Sequence, residues 1–352
     1  MVRRMRLSVT VHAGLIVIAA LNPLWSGISE AGLPAQESPA DWLAVNESMY
    51  VRVGGIDQWV QIRGDDRANP VLLWLNGGPG ASTILSTPAY RSWERVFTVV
   101  MWDQRGEGKT FEKNGESEAS STTISRMTQD GAELAQYLCR HLHKRKIILL
   151  GHSWGSVLGI HMIKAHPELF SAYVGTGQVT KVDRELEAGY PALLARARSN
   201  ALAARELAGI GPPPWKSRDA YDLVNKWTAA LDPPPMPPSE EDRRTWMRQP
   251  PPVSPPYIAA GENFSHRVLD DGFAREDLPT FATQFSVPII FIQGSDDLWT
   301  TTSVVKDYFD HIVAPSKRFI ELPDTGHDAI FRDRHAFLEQ LVIQVRSLRI
   351  TW

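Results

Sequence analysis

The chain has 352 residues, 43% hydrophobic and 22% charged, which are the proportions of a globular protein and exclude a disordered or fibrous chain. A formal net charge of −3 gives no basic footprint for nucleic acid. The single cysteine, Cys139, excludes an intramolecular disulfide and a cysteine-based zinc site.

Residues 1–31 read as an address. Arg3, Arg4 and Arg6 precede the apolar stretch Ala13–Leu21, which suits a signal-peptide core and is too short to span a bilayer. Asn22 and Pro23 break it, and Ser29-Glu30-Ala31 places small residues where a signal peptidase reads. The layout implies export to the periplasm or medium, or a membrane anchor if the leader stays uncleaved. No other stretch is apolar enough to cross a membrane.

The mature chain alternates strands and helices. Met49–Val53 and Asp57–Arg63 form a hairpin around Gly54-Gly55. Pro70–Leu75 and Phe97–Trp102 are continuous apolar runs, as for strands buried on both faces. Thr123–Leu142 has helical periodicity, with Ile124, Met127, Leu134, Tyr137 and Leu138 on one stripe. Lys146–Leu150 is a further buried strand, and Val157–Lys164 the helix after it. Ala172–Val179, Val287–Gln293 and Arg318–Leu322 continue the strands, and Phe331–Leu348 ends the chain as one amphipathic helix. Such alternation implies a mostly parallel, doubly wound α/β sheet over residues 32–180 and 286–352.

Residues 181–285 break the pattern. Arg184–Leu207 reads as helix, and thirteen of the chain's 25 prolines then fall between Pro212 and Pro256. Proline is excluded from central strands, so this stretch is not sheet. Trp215, Tyr221, Trp227, Trp246 and Tyr257 imply packed structure, since disordered segments are poor in aromatics. We expect a helical cap with stiff proline connectors, inserted before the last strands.

The sharpest local signal is Gly151-His152-Ser153-Trp154-Gly155. It fits G-x-S-x-G between a buried strand and a helix, the strained turn that lifts a serine hydroxyl out of a sheet. A serine nucleophile needs a base, and the base an orienting acid, in the order Ser, Asp or Glu, His on this fold. Asp297 and His327 each follow a strand, at the edge where open α/β sheets bind ligands. Asp296 is the rival acid. Asp297 is preferred because it stands three residues after the strand-ending Gly294. His141, His143, His161, His166 and His335 all lie on or beside helices and fit worse. An oxyanion would be held by the backbone N–H of Trp154 and by one from the loop Asn76–Ser82, assigned to Gly78. Gly108-Lys109-Thr110 resembles the end of a phosphate-binding loop, but the first glycine of that motif falls on Asp103, so no nucleotide is expected.

NGGPG at Asn76–Gly80, DQRGEG at Asp103–Gly108, GHSWG at Gly151–Gly155 and Gly326-His327 together resemble the proline-iminopeptidase group of serine peptidases on the α/β-hydrolase fold. The resemblance spans most of the mature chain outside the proline-rich insertion. It implies a Ser153–Asp297–His327 triad, an oxyanion hole at Gly78 and Trp154, and a structural brace from Asp103 and Arg105. Asn76 stands where the group has histidine, so a retuned loop is expected. In the group, acidic cap residues hold the substrate's free amine. Glu262 is the candidate here, with Glu187 and Asp271 as alternatives.

The expectation is thus an exported aminopeptidase acting on short peptides or small amides with an apolar first residue such as proline. No metal or organic cofactor is implied. Activity should fall below about pH 6.5 as His327 protonates. The rivals are an esterase or acyltransferase with the same triad, and a ligand-binding protein that keeps only the fold. Dehalogenases and epoxide hydrolases carry aspartate where Ser153 stands.

Overall fold

A computed structural model describes residues 43–348, apart from 83–86, 88, 118, 235–239, 241–243 and 245–254. The leader reading and Trp246 lie outside the described residues. Eight strands form one sheet: β1 (Val45–Val53), β2 (Ile56–Gly64), β3 (Val71–Leu75), β4 (Thr98–Trp102), β5 (Ile147–His152), β6 (Phe170–Thr176), β7 (Ile289–Gly294) and β8 (Lys317–Leu322). Their spatial order is β1-β2-β4-β3-β5-β6-β7-β8. β1, β2 and β4 pair antiparallel, and every pairing from β4 to β8 is parallel.

The helices are α1 (Gly108–Asn114), α2 (Ile124–His141), α3 (Trp154–Ala165), α4 (Val182–Ala197), α5 (Ala201–Ile210), α6 (Arg218–Leu231), α7 (Pro255–Phe273), α8 (Leu278–Phe281), α9 (Thr302–His311), α10 (Ala329–Arg332) and α11 (Arg334–Ser347). β3 to β7 are buried along their whole length, which is why β3 and β4 read as continuous apolar runs. On one face Met127, Leu134 and Leu138 of α2 and Val157, Leu158 and Ile160 of α3 join the core, with Val305 and Tyr308 of α9. On the other, Phe337, Leu341 and Val345 of α11 pack with Trp93 and Tyr90. Helices cover both sides, so the sheet is doubly wound. Among the described residues no helix is long and apolar enough to cross a membrane.

Between β6 and β7 the described residues form the helices α4 to α8. This segment has its own apolar cluster of Tyr190, Leu193, Ala203, Leu207, Trp215, Val224 and Trp227, which also takes in Leu298 from the loop after β7. Tyr221 packs edge-on against Trp215, while Tyr257 is exposed. The single helix expected over Arg184–Leu207 is two. Asn200 interrupts it, because its side chain accepts from the N–H groups of Leu202 and Ala203 and starts α5 as a cap. Pro191 does not break α4. It lies on the exposed face, one turn after Glu187, which is exposed too. The helix expected over Phe331–Leu348 is also divided, by Asp333, which caps α11 through Ala336 N–H.

Arg105 and Asp130 fasten the hairpin to the rest. Both are buried, with Nε to Oδ2 at 2.9 Å. Arg105 also donates to the Gly54 carbonyl at 2.8 Å, while Gln58 and Arg126 donate to Asp130. Gly54 has a φ of +57°, and a Cβ there would come within 1.8 Å of Asp130 Oδ1. Asp130→Ala is expected to lower the unfolding free energy by about 3–5 kcal/mol, since it strips a buried guanidinium of its carboxylate. Urea denaturation checks this, and a loss below about 1 kcal/mol would show that Arg105 finds another partner.

Candidate active site

β5 ends and α3 begins on either side of Ser153, whose backbone sits at φ 52°, ψ −120°. That is a region an L-residue occupies only under constraint. The constraint comes from both neighbours. Ser153 N–H donates to Thr176 O of β6 at 3.1 Å, and Ser153 O accepts from Ser156 N–H and Oγ at 2.8 and 2.6 Å. A Cβ on Gly155 would lie 2.2 Å from Leu75 O, so only glycine lets α3 approach β3 this closely.

The hydroxyl so presented meets His327. Ser153 Oγ lies 2.9 Å from His327 Nε2, and His327 Nδ1 lies 3.1 and 3.2 Å from the two oxygens of Asp297. Nδ1 therefore donates to Asp297, which leaves Nε2 as acceptor for the serine proton. Asp297 is buried and well supplied with donors. Oδ1 accepts from the N–H groups of Trp299 and Thr300, and Oδ2 from Gln293 Nε2 and Thr300 Oγ1. Asp296 faces away and pairs with Arg196 of α4 at 3.0 Å. An arrangement of this kind can move the hydroxyl proton onto imidazole as the oxygen attacks.

The local electrostatics are unusual. Burial works against a charged His327, but the carboxylates of Asp297, Asp328 and Asp232 outweigh it and push the imidazole up to about 9. His152, one residue before the serine, goes the other way. Burial and then the charge of His327 push it down to about 3, so it stays neutral. Its Nε2 lies 3.3 Å from His327 O. Burial also pushes Glu185, at the start of α4, up to about 7.

The loop after β3 passes close by. A Cβ on Gly77 would stand 3.2 Å from Ser153 Cβ. Gly78 follows at φ 119° with a cis bond to Pro79. Asn76 Nδ2 donates to Ala81 O and to Glu107 Oε2, at 2.9 and 2.8 Å, so the asparagine ties the loop to the turn after β4. Burial, then the charge of Asp103, raises Glu107 well above the usual carboxyl range. Trp154 is fully buried, with its ring edge-on to Phe273 of α7.

The three acids considered for the cap separate clearly. Glu262 lies on α7 where the helix rests on this loop, since a Cβ on Gly80 would come 2.8 Å from Glu262 Cα. Glu187 is exposed on α4, in a surface groove with Arg184 and Asp307. Asp271 is half-buried further along α7. Sequence reasoning passed over His152, Glu185 and Asp232. The first stands in plain view inside the motif. The other two belong to no motif, and only their burial in the fold exposes them.

Residues 71–340 match the model of the alpha/beta hydrolase family. The chain is 30% identical over 298 residues to the protein of Bacillus subtilis (strain 168) named "Probable aminopeptidase YbaC", covering 82% of this chain and 93% of that one. It is 24% identical over 292 residues to a "Probable proline iminopeptidase" of Streptomyces coelicolor, covering 76% of this chain and 84% of that one. The crystal structure of a proline iminopeptidase from Mycobacterium smegmatis superposes with a TM-score of 0.62 at 21% identity, over 86% of this chain and 98% of that one. At that identity the superposition speaks for the fold.

The strain at Ser153 can be measured. Ser153→Gly is expected to be more stable than Ser153→Ala by about 1 kcal/mol, because glycine alone adopts this φ without a Cβ penalty. Paired denaturation curves test this, and equal stabilities would mean that the turn holds no strain.

Proposed function

The chain belongs to the alpha/beta hydrolase family as a proline-iminopeptidase-like hydrolase, and on that premise we propose that it is a serine aminopeptidase releasing N-terminal residues from short peptides or small amides. The observation that carries the serine-hydrolase part of this reading is the unbroken line from Ser153 Oγ to His327 Nε2 at 2.9 Å and from His327 Nδ1 to Asp297 at 3.1 Å, and its aminopeptidase part is supported by the likeness to the "Probable aminopeptidase YbaC". Ser153 Oγ attacks the acyl carbon as its proton passes to His327 Nε2. Asp297 holds the imidazole in the required tautomer and stabilises the imidazolium. The tetrahedral oxyanion accepts from the N–H of Trp154, which opens α3 and so has no intrahelical acceptor, and from the N–H of Gly78. Donors of this kind are worth about 3–4 kcal/mol each in the transition state. Collapse of the intermediate breaks the C–N bond, and His327 returns the proton to the leaving amine. Water then attacks the acyl-enzyme with His327 again as base, which frees Ser153 and the released residue.

Glu262 is the residue we assign to the substrate's free ammonium group. The support is its place on α7 directly over the Gly80 turn, beside the loop that runs past Ser153. The helices from α4 to α8 act as a cap that limits substrate length. In the same reading the leader at 1–31 makes the enzyme an exported one.

The pH dependence is revised by the geometry. Only the neutral imidazole can act as base, and nearby carboxylates favour its charged form. The acid limb of kcat/KM therefore lies above the ordinary 6.5 and at or below about 9. Asp232, itself pushed up to about 7, loses part of its pull as the pH falls. A limb at pH 6 or lower would contradict the geometry.

The substrate class is tested with prolyl-, alanyl- and phenylalanyl-arylamides, their N-acetylated forms and short-chain nitrophenyl esters, with Ser153→Ala as the blank. Free-amine arylamides should be hydrolysed and acetylated ones not, and Glu262→Gln should raise KM about tenfold or more. Turnover of esters alone would assign the protein to the esterases and remove the amine-binding role of Glu262.

A further inference from the structure

α6 ends at Leu231, and the next side chain, Asp232, leaves the helical segment and reaches the edge of the sheet. Its Oδ1 accepts from Leu298 N–H at 3.0 Å, and its Oδ2 from His327 N–H at 2.9 Å. Leu298 is the residue after Asp297. One carboxylate thus binds the backbone beside the acid and the backbone of the base. The chain leaves no slack here, since a Cβ on Gly326 would come within 2.1 Å of Asp232 Oδ2. Neighbouring contacts point the same way. Arg332 of α10 donates to Pro234 O, and Arg196 of α4 bridges Leu231 O at 3.4 Å and Asp296 at 3.0 Å. Leu298 itself packs into the apolar cluster of the helical segment.

We propose that Asp232 is a positioning residue that latches the helical segment to the Asp297 and His327 loops and sets the distance between acid and base. This rests on the reading of Ser153, His327 and Asp297 given above and deepens it. Asp297 and His327 lie on different loops, which Ser295 N–H to Leu322 O and Asp296 N–H to Thr325 O join at the end of the β7–β8 ladder, short of Asp297 and His327 themselves. The Asp232 carboxylate extends that tie, accepting one N–H beside the acid and one from the backbone of the base. Aspartate is required because both donors are N–H groups. Asparagine has one acceptor oxygen, and its amide would set a second donor against one of the two N–H groups. The latch also joins the cap to the chemistry, so a displacement of the end of α6 moves both loops.

The latch carries a charge as well. The groups facing His327 are Asp297 from the loop after β7, Asp328 from its own loop, Asp232 from the end of α6, His152 from the end of β5 and Glu185 from α4. Asp232 itself faces Asp297 and His327, with Asp296, Arg196 and Arg332 around the same corner. Removing its charge lowers the affinity of His327 for a proton, so the acid limb moves to lower pH while the plateau falls. A purely structural role gives a uniform loss with the limb in place.

The test compares wild type, Asp232→Asn and Asp232→Glu on whichever arylamide or nitrophenyl ester the wild type hydrolyses, from pH 5 to 10, with melting curves for each. The expected result for Asp232→Asn is a plateau kcat lowered about 10- to 100-fold, KM within about threefold, and a limb moved down. Asp232→Glu should return the limb to the wild-type position and recover part of kcat. If Asp232→Asn does not fold, Asp232→Glu decides by the same limb, and a downward displacement there overturns the proposal. An unmoved limb in Asp232→Asn, unchanged activity, or a rise in KM with kcat intact also overturns it. A wild type that hydrolyses none of the substrates defeats the hydrolase reading and the latch with it. A wild type that turns over beside an Asp232→Asn variant of equal rate and limb defeats the latch alone.

Discussion

The pair of His327 and Asp297 is the contact on which the edge of this sheet depends. Both side chains are buried, and a buried charge is tolerated only when it is paired and hydrogen-bonded. The surroundings meet that demand for Asp297 with four protein donors besides the imidazole. They meet it for His327 with carboxylates on more than one side. The result is a ring held in one orientation, whose neutral form keeps one tautomer with its free nitrogen aimed at Ser153. The strained turn at Ser153 makes sense beside that pair. It places an oxygen where Nε2 already points, and the ladder to β6 and the close approach of α3 hold the strain in place.

Much of this was legible in the sequence because the constraints are local. Strands buried on both faces are mostly apolar, so β3, β4 and β5 were visible as apolar runs. The glycines around Ser153 mark a turn that needs close backbone approach, and the motif shows that need even though the strand approached, β3, lies far away in the chain. Asp297 over Asp296 followed from counting past the strand end, and the structure turns Asp296 outward to Arg196. The helical segment was less legible. Its break at Asn200 depends on a capping bond that the Ala- and Arg-rich pattern hides. The persistence of α4 through Pro191 depends on which face of that helix is exposed.

Asp232 and the pH behaviour of His327 were not legible at all. An aspartate between a helix and a proline run looks like any solvated turn residue. Its meaning comes from distant partners, 66 and 95 residues away in the chain. The same holds for the imidazole. A histidine read alone suggests its ordinary titration near pH 6.5, and only the packing reveals how many carboxylates surround it. Local chemistry is written in motifs, while the tuning of that chemistry is written in contacts that the fold creates.

The central claim is that Ser153 is a nucleophile activated by His327. A fluorophosphonate probe tests it most directly, with the adduct located by peptide mass spectrometry. The account predicts one adduct, on Ser153, absent from Ser153→Ala and formed far more slowly in His327→Ala. An unlabelled Ser153, or labelling that proceeds equally well without His327, would contradict it.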